Sequence, residues 1–379
     1  MKIGILCYPT YGGSGIVATE LGMSLANKGY EVHFISSALP ARLDITNPNI
    51  FFHKVNVQTY PLFQYQPYDI ALSSMIYRVV NLYKLDLLHA HYAIPYAYAA
   101  FTGKQMLKEE GKDVPLVTTL HGTDITLVGQ HPSYKHAVEF SINHSDTVTS
   151  VSESLKRDTL KFFNIRKEIQ VITNFIDNTE FREDHCCERK QFANEDEKIL
   201  IHVSNLRPVK RVEDVLQIFK NVHAKVKSKL IIIGEGPDME KITEFMEENP
   251  DLISKIRLLG KVNDLYRILQ LSDVFLLPSE QESFGLAALE AMAAYTPVIS
   301  SNAGGIPEVN LQGETGYLAE IGNVEAMSNY TIKLLSDENL LAQMKANAKE
   351  QAKHFDIKNV LPQYEEMYEN TIRNFKESQ

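Results

Sequence analysis

The chain alternates short β-branched segments with helical patterns along almost all of its 379 residues. Because strands separated by helices pair in parallel, this alternation predicts βαβ units and parallel sheets. We therefore expect an α/β protein in which two series of segments each form a doubly wound sheet. The segments are 2–8, 31–36, 51–57, 85–90, 116–120, 147–151 and 170–173, followed by 198–203, 229–234, 255–260, 273–278, 297–300 and 316–319.

Two domains are expected, since single hydrophobic cores stop growing near roughly 250 residues. A polar, charge-rich stretch over 177–197 separates the two series of segments. From about Asn323 the sequence is typical of helix through Phe375, and the last helix is expected to pack on the first domain. The predicted domains are 1–175 together with about 358–379, and 176–357, two Rossmann-like sheets that face each other across a cleft.

Composition excludes several classes of protein. The 38 basic and 48 acidic residues give a formal net charge of −10, which argues against general nucleic-acid binding because phosphates require clustered Lys and Arg. No segment approaches the roughly 18 apolar residues that span a bilayer, and the apolar start breaks at 9–15 before a secretory signal forms. The three cysteines, without a C-x-x-C pair, favour a reducing cytoplasm over a disulfide framework.

Ligands of open parallel sheets bind beyond the carboxyl ends of the strands, so the residues there are the candidate site residues. Tyr11-Gly12-Gly13-Ser14-Gly15 follows the first strand and opens a helix, whose free N–H groups and dipole would attract an anion. The loop also resembles a dinucleotide fingerprint, but the second strand ends in Ser36 and Ser37 without the acid that binds a ribose. A tight turn that uses glycine only for backbone freedom explains this loop equally well.

The segment from Glu282 to Glu290 follows the strand expected at 273–278. With a helix starting near Ser283 or Phe284, Glu282 would precede the helix and Glu290 would lie two turns inside it, roughly 12 Å away at 1.5 Å per residue. A diphosphate on the free N–H groups between them would place one attached sugar near each carboxylate. For an isolated pair of acids, a solvated helix face is the simpler interpretation.

A basic loop and two glycine-rich turns follow other strands of the same domain. Ser204-Asn205-Leu206-Arg207-Pro208-Val209-Lys210-Arg211 carries three cations that could neutralise a diphosphate leaving group. Gly234-Glu235-Gly236-Pro237 and Gly304-Gly305-Ile306-Pro307-Glu308 would let the backbone approach a ligand closely.

Histidines end two strands of the first domain. His89 and His91 flank Ala90 and point to one face, so that they could ligate zinc together with His121 and Asp124. We favour a metal-free site, because a metallohydrolase needs further ligands. His121 closes its strand in His121-Gly122-Thr123-Asp124 and is expected to face the cleft.

Together these motifs resemble the retaining glycosyltransferases of the GT-B fold, family four, over essentially the whole chain. The resemblance implies an enzyme that takes a UDP-sugar in the second domain and an acceptor in the first. No Asp-x-Asp pair occurs in the sequence, which agrees with leaving-group stabilisation by side-chain cations without a bound metal. The motifs that carry the resemblance are the Gly12-Gly13 loop, His121, Asn174, the Lys210 loop, Gly234-Glu235-Gly236-Pro237 and Glu282-x7-Glu290.

The family pattern also implies residue roles. Glu290 would hold the donor ribose, Glu282 the hexose hydroxyls and Lys210 the diphosphate. His121 would support the transition state and, with Lys210 and Glu282, form the catalytic set. Many members carry Arg where this chain has Asn205, so either Arg207 or Arg211 would supply the second cation or the site would have one cation fewer. The implied donor-binding residues are Gly13, Asn205, Arg207, Lys210, Glu282, Ser283, Phe284, Gly285, Leu286 and Glu290.

The motifs are most similar to family members that transfer N-acetylglucosamine from UDP-GlcNAc to the hydroxyl of L-malate, at the start of bacillithiol biosynthesis. This resemblance implies those two substrates and a homodimer, without a separate cofactor. The alternative is a family-four hexosyltransferase with another acceptor, such as a lipid headgroup or inositol phosphate, although no basic amphipathic run is visible. A sugar-nucleotide isomerase or an NAD enzyme fits the paired glutamates poorly.

The candidate acceptor-binding residues are Gly13, Ser14, Tyr92, Thr123, Lys135 and Asn174, with an ordinary surface charge as the other explanation of Lys135.

Overall fold

The computed structural model describes residues 1–181, 186–262 and 264–378. It divides into two compact units, which we call unit 1 (Met1–Asn174 with Lys358–Gln379) and unit 2 (Phe175–Ile357). Each unit is built on one parallel sheet.

The strands are β1 (Lys2–Leu6), β2 (Glu31–Ser36), β3 (Ile50–Lys54), β4 (Leu87–His91), β5 (Leu116–Leu120), β6 (Thr147–Ser150), β7 (Ile169–Val171), β8 (Lys198–Val203), β9 (Ser228–Ile233), β10 (Ile256–Leu258), β11 (Val274–Leu277), β12 (Val298–Ser301) and β13 (Gly316–Ala319). Unit 1 holds a seven-stranded sheet in the order β3-β2-β1-β4-β5-β6-β7, and unit 2 a six-stranded sheet in the order β10-β9-β8-β11-β12-β13.

The helices are α1 (Gly13–Asn27), α2 (Tyr68–Tyr83), α3 (Tyr98–Lys108), α4 (Pro132–His144), α5 (Glu153–Phe162), α6 (Val212–His223), α7 (Met239–Glu248), α8 (Leu265–Gln270), α9 (Leu286–Ala293), α10 (Ile306–Val309), α11 (Val324–Ser336), α12 (Glu338–Lys353) and α13 (Ile357–Glu377). Short 3-10 or π-helical turns occupy Ala93–Ala97, Thr123–Leu127, Val128–Gln130, Asn178–Glu180, Cys186–Gln191, Pro208–Lys210 and Pro250–Lys255. None of the helices within the described residues is long and apolar enough to cross a membrane.

The central strands are buried along their whole length, as expected where helices cover both faces of a parallel sheet. Every residue of β4 and β5 is buried, including the polar His89 and His91. The helices instead bury one apolar stripe. In α6 this stripe consists of Val212, Val215, Leu216, Ile218, Phe219 and Val222.

The predicted fold class is confirmed, because both series of expected strands form parallel Rossmann-like sheets. The differences are at strand ends. The strand expected at 51–57 is Ile50–Lys54, since its pairing stops where Ser36, the last residue of its neighbour β2, lies beside Lys54. The helical segment expected from Asn323 consists of α11, α12 and α13.

Helix α13 belongs to unit 1 for all but its first residue. Its Tyr364 and Tyr368 are fully buried. The Tyr368 hydroxyl lies 2.7 Å from Nδ1 of His89 in β4. The helix therefore completes the covering of the unit 1 sheet and reaches the strand that ends in His91.

Candidate active site

In unit 2 the neighbouring strands β8 and β11 end beside each other, and a basic and an acidic segment follow them. Lys210 Nζ donates a hydrogen bond to Glu282 Oε1 at 2.5 Å, and Ser279 Oγ donates to the same oxygen at 2.9 Å. The Lys210 and Glu282 side chains are 20% and 13% exposed, so the pair is accessible to a ligand without being fully solvated. The structure thus brings together two residues that the sequence assigned to the donor site.

Hydrogen bonds to the backbone fix the position of the Glu282 segment relative to the Lys210 loop and to β12. Glu280 N–H donates to Val209 O at 2.8 Å, and Ser301 Oγ, at the end of β12, donates to Ser279 O. The position of Glu282 is therefore set by both of the strands that flank β11.

A buried histidine that the sequence analysis missed supports the basic loop. His202 is the fifth residue of β8, and burial lowers its pKa to about 4, so it is neutral near pH 7. Its Nδ1 lies 2.9 Å from Leu276 O and must donate, which leaves Nε2 to accept from Ser204 Oγ at 2.8 Å. Ser204 Oγ accepts in turn from Leu206 N–H. A polar residue inside an apolar strand, two positions before Ser204, was the available signal.

The glycine-rich turns serve the packing of these loops. A Cβ on Gly234 would lie 1.7 Å from Ser204 O, and one on Gly304 would lie 2.0 Å from Glu282 O. Both glycines also have positive φ, of +125° and +54°. The sequence predicts that these glycines let the backbone approach a ligand closely. At Gly234 and Gly304 the close approach is instead to the backbones of the Lys210 loop and of the Glu282 segment.

The helix after Glu282 begins at Leu286, so the expected start near Ser283 or Phe284 is wrong. Gly285 has φ of 92°, a left-handed conformation that an α-helix cannot contain. Glu290 is consequently the fifth residue of α9, little more than one turn inside the helix instead of two. Phe284 is 1% exposed and packs on Phe355 with ring centroids 5.5 Å apart, so its side chain belongs to the core.

The free N–H groups at this helix start lie correspondingly later in the sequence. Leu289 N–H makes the first intrahelical bond, to Gly285 O. The N–H groups of Leu286, Ala287 and Ala288 precede it and have no intrahelical acceptor. They provide a positive helix end beside the Glu282 segment.

The two candidate arginines differ in their contacts. Arg211 Nε donates to Asp214 Oδ2 at 2.7 Å, and this bond raises the pKa of Arg211. Arg207 is exposed, and its guanidinium has no ion pair or hydrogen bond within the part of the chain that the structure describes. Of the two, Arg207 is free to contact an anion.

In unit 1 the candidate residues follow the adjacent strands β1, β4 and β5. Gly13 and Ser14 open α1 after β1, where the first N–H groups of the helix lack intrahelical acceptors. Tyr92 follows β4, and its ring centroid lies 5.3 Å from that of His121, which follows β5. Thr123 starts a π-helical turn immediately afterwards and is half-buried.

Asp124 ties the loops after β4 and β5 together. Its carboxylate accepts from Ala93 N–H at 2.9 Å, Gly122 N–H at 3.0 Å and His121 N–H at 3.3 Å. Burial raises the pKa of Asp124 to about 6, although these donors oppose the shift. Among the described residues no group of three His, Cys, Asp or Glu side chains is arranged to hold a metal ion.

The other two acceptor candidates lie further along unit 1. Asn174 follows β7 and is 6% exposed, and its Oδ1 has no hydrogen-bond partner in the described part of the chain. Since an unpaired buried acceptor costs roughly 1–3 kcal/mol, a donor on a ligand would stabilise it. Lys135 lies on α4 with its Nζ 6.0 Å from the centre of the Phe163 ring.

Acidification from pH 7 to 5.5 is expected to destabilise unit 1. Burial lowers the pKa values of His89 and His121 to about 3, whereas the unfolded chain takes up these protons near pH 6.5. The free energy of unfolding therefore falls as the pH drops below 6.5, by roughly 1 kcal/mol for each of the two imidazoles. Asp124 acts in the opposite direction, because its raised pKa favours the protonated folded state, but by less than about 1 kcal/mol over this interval.

Differential scanning calorimetry at constant ionic strength measures this effect. Two losses of roughly 1 kcal/mol, offset by less than about 1 kcal/mol from Asp124, leave a net loss of roughly 1–2 kcal/mol, which corresponds to a fall in Tm of roughly 2–8 °C for a unit of this size. A Tm that stays constant from pH 7 to 5.5 would contradict the neutral buried state of these histidines.

Comparisons with known proteins identify the family to which the chain belongs. Residues 11–180 match the family model described as Glycosyltransferase Family 4, and residues 187–351 match the one described as Glycosyl transferases group 1. The N-acetyl-alpha-D-glucosaminyl L-malate synthase of Bacillus anthracis is 45% identical over 379 residues, which cover 99% of this chain and 98% of that protein.

Two solved structures show the same fold. HepE of Anabaena in complex with UDP-glucose superposes with a TM-score of 0.82 at 20% identity, over 98% of this chain and all of that one. Sucrose-phosphate synthase of Thermosynechococcus elongatus also gives a TM-score of 0.82, at 18% identity, over 99% of this chain and 100% of that one. The resemblance drawn from the motifs is confirmed, and the chain belongs to the family-four glycosyltransferases of the GT-B fold.

Proposed function

We propose that this glycosyltransferase moves N-acetylglucosamine from UDP-GlcNAc to the hydroxyl of L-malate with retention of anomeric configuration, as the first step of bacillithiol biosynthesis. The observation that carries the proposal is the 45% identity, over nearly the full length of both chains, to an N-acetyl-alpha-D-glucosaminyl L-malate synthase. A homodimer is part of the proposal and follows from the resemblance alone. A cytoplasmic location is also part of it and rests on the cysteine content as well.

We assign the donor to unit 2. The Lys210 ammonium and the Arg207 guanidinium would neutralise the diphosphate, together with the N–H groups that begin α9. An ammonium has three donors, so Lys210 can bind a phosphate oxygen while it keeps its bond to Glu282. Glu282 would then accept from hexose hydroxyls and Glu290 from the ribose. The remaining donor contacts are proposed for Gly13 of unit 1 and for Asn205, Ser283, Phe284, Gly285 and Leu286, with the backbone alone serving at Phe284.

We assign the acceptor to unit 1. L-Malate carries two carboxylates, and the N–H groups of Gly13 and Ser14 at the start of α1 suit one of them. The hydroxyls of Tyr92 and Thr123 would bind the other, since their loops follow adjacent strands. Lys135 and Asn174 remain further candidates.

The proposed reaction occurs on one face of the hexose. The bond from the anomeric carbon to the diphosphate oxygen breaks, and the malate hydroxyl oxygen forms a new bond to that carbon on the same side. The malate proton passes to the departing diphosphate, which leaves as UDP. Lys210 and Arg207 stabilise the charge that develops on the leaving group. Burial lowers the pKa of His121 to about 3, so its neutral ring is too weak a base to take the malate proton near pH 7 and would instead hydrogen-bond the hexose.

Incubation with UDP-GlcNAc and a panel of acceptors tests this proposal. We expect L-malate to release UDP at least about 100-fold faster than L-lactate, because lactate leaves the donors for the second carboxylate unpaired. UDP release gives the rate, and the anomeric proton coupling of the product reports retention. Turnover with inositol phosphate or a lipid headgroup, but not with L-malate, would instead identify a family-four enzyme with another acceptor.

A further inference from the structure

His91 lies directly beside the predicted catalytic residue His121 in unit 1. His91 Nδ1 is 2.9 Å from His121 Nε2, and the two rings stack with centroids 5.1 Å apart. His91 is fully buried, and its other ring nitrogen, Nε2, has no hydrogen-bond partner among the residues that the structure describes.

We propose that His91 is a positioning residue that fixes the tautomer of His121, so that His121 carries its proton on Nδ1 and presents an N–H donor to the donor hexose. The proposal rests on the proposed function of His121. It adds a second histidine that does not touch the substrate.

The assignment follows from where each proton can go. Burial lowers the pKa values of both histidines far below 7, so each ring is neutral and carries one proton. If His121 donated through Nε2, the proton of His91 would have to sit on its own buried Nε2, as an N–H without an acceptor. Buried backbone N–H groups without a partner are rarer in proteins than unpaired backbone C=O groups, and we apply the same preference to the imidazole nitrogens. We therefore place the proton of His91 on Nδ1, which donates to His121 Nε2 and leaves the His121 proton on Nδ1.

The neighbours of His91 hold its ring in this orientation. The His89 ring lies against it with centroids 4.2 Å apart. His89 is itself fixed on both sides, by the Tyr368 hydroxyl at 2.7 Å from Nδ1 and by Thr119 Oγ1 at 2.7 Å from Nε2. The His121 ring also contacts the Tyr92 ring, with centroids 5.3 Å apart. The His121 imidazole thus contacts both His91 and Tyr92, and its hydrogen bond to His91 sets which nitrogen carries the proton.

Two substitutions of His91 distinguish the effect of its hydrogen-bond donor from the effect of its volume. In His91→Asn the side-chain amide can occupy the place of Nδ1 and donate to His121, whereas His91→Leu fills a similar volume without a donor. We expect His91→Leu to lower kcat roughly tenfold with the Kd for UDP unchanged, and His91→Asn to recover most of that loss. His136→Asn and His136→Leu are matched controls, because the His136 side chain is 93% exposed.

The direct readout is ¹⁵N NMR of the full-length protein labelled at histidine, with the His121 signals assigned by their loss in His121→Ala. We expect His121 protonated on Nδ1 in the wild-type protein and in His91→Asn, and a mixture of tautomers in His91→Leu. Protonation of His121 on Nε2 in the wild-type protein would overturn the proposal, and so would equal kcat in His91→Leu and wild type. The NMR measurement needs no substrate. It therefore tests the tautomer assignment separately from the proposed acceptor and from the role of His121 in catalysis.

Discussion

Replacing Lys210 with Ala is expected to lower kcat/KM for UDP-GlcNAc by at least about 1000-fold, or roughly 4 kcal/mol of transition-state stabilisation. The substitution removes the half-buried cation that would neutralise the diphosphate as it leaves. Steady-state kinetics of UDP release measures the effect, and calorimetric titration with UDP shows how much of it is binding. Lys227→Ala is the control, since the Lys227 side chain is 76% exposed and pairs with Asp196 at the surface.

Two further variants identify the cause of this loss. Lys210→Arg keeps the charge and should retain far more activity than Lys210→Ala. The double variant Lys210→Ala/Glu282→Gln removes the carboxylate that Lys210→Ala leaves without its ion pair. If that unpaired carboxylate caused the loss, the double variant would recover UDP binding, and the leaving-group role of Lys210 would be wrong.

Replacing His121 with Ala is expected to lower kcat by at least about 100-fold and to change the Kd for UDP by less than about twofold. The residues that would bind the diphosphate, Lys210 and Arg207, belong to unit 2, whereas His121 belongs to unit 1. The imidazole would act on the hexose and on the transition state, so its loss should appear in turnover. Single-turnover kinetics and UDP titration measure the two quantities separately.

Equal losses in turnover and in UDP affinity would contradict this role for His121. His136→Ala is the matched control because its side chain is almost fully exposed on α4. A comparison of His121→Asn with His121→Ala shows whether a single amide donor is enough to support the transition state.

The sheets could be predicted from the sequence because buried parallel strands are runs of β-branched and aliphatic residues. β2, β5, β8 and β13 begin and end at the residues that the pattern predicts. The same pattern places functional side chains, because the loops after parallel strands emerge at one edge of each sheet. This is why Lys210 and Glu282, 72 residues apart in the chain, could be assigned to one site before any contact was known.

The local geometry of the site could not be predicted in the same way. Ser283 is a favourable residue to precede a helix, so propensity places the start of α9 there. The burial of Phe284 against Phe355 and the left-handed Gly285 instead delay the start to Leu286. These determinants are tertiary contacts and backbone angles, which short-range sequence patterns do not contain.

The hydrogen bond between His91 and His121 could not be predicted, although the two side chains were already candidates for one zinc site. His91 ends β4 and His121 follows the neighbouring strand β5, but the spacing of the segments does not encode which ring nitrogens meet. The choice between Arg207 and Arg211 could have been predicted from the sequence. Asp214 lies three residues after Arg211, a spacing that itself favours an ion pair, and the structure contains that pair.

The return of α13 to unit 1 has a consequence for biosynthesis on the ribosome. Unit 2 is continuous in sequence. The sheet of unit 1 is synthesised first, but unit 1 is complete only after the residues beyond Ile357 have been synthesised. At typical translation rates of about 5–20 residues per second, the interval from Asn174 to Tyr368 lasts roughly 10–40 s. During that time His89 lacks its tyrosine partner, and the nascent first unit exposes the surface that α13 later covers, which a chaperone that binds exposed apolar surface could shield until α13 is made.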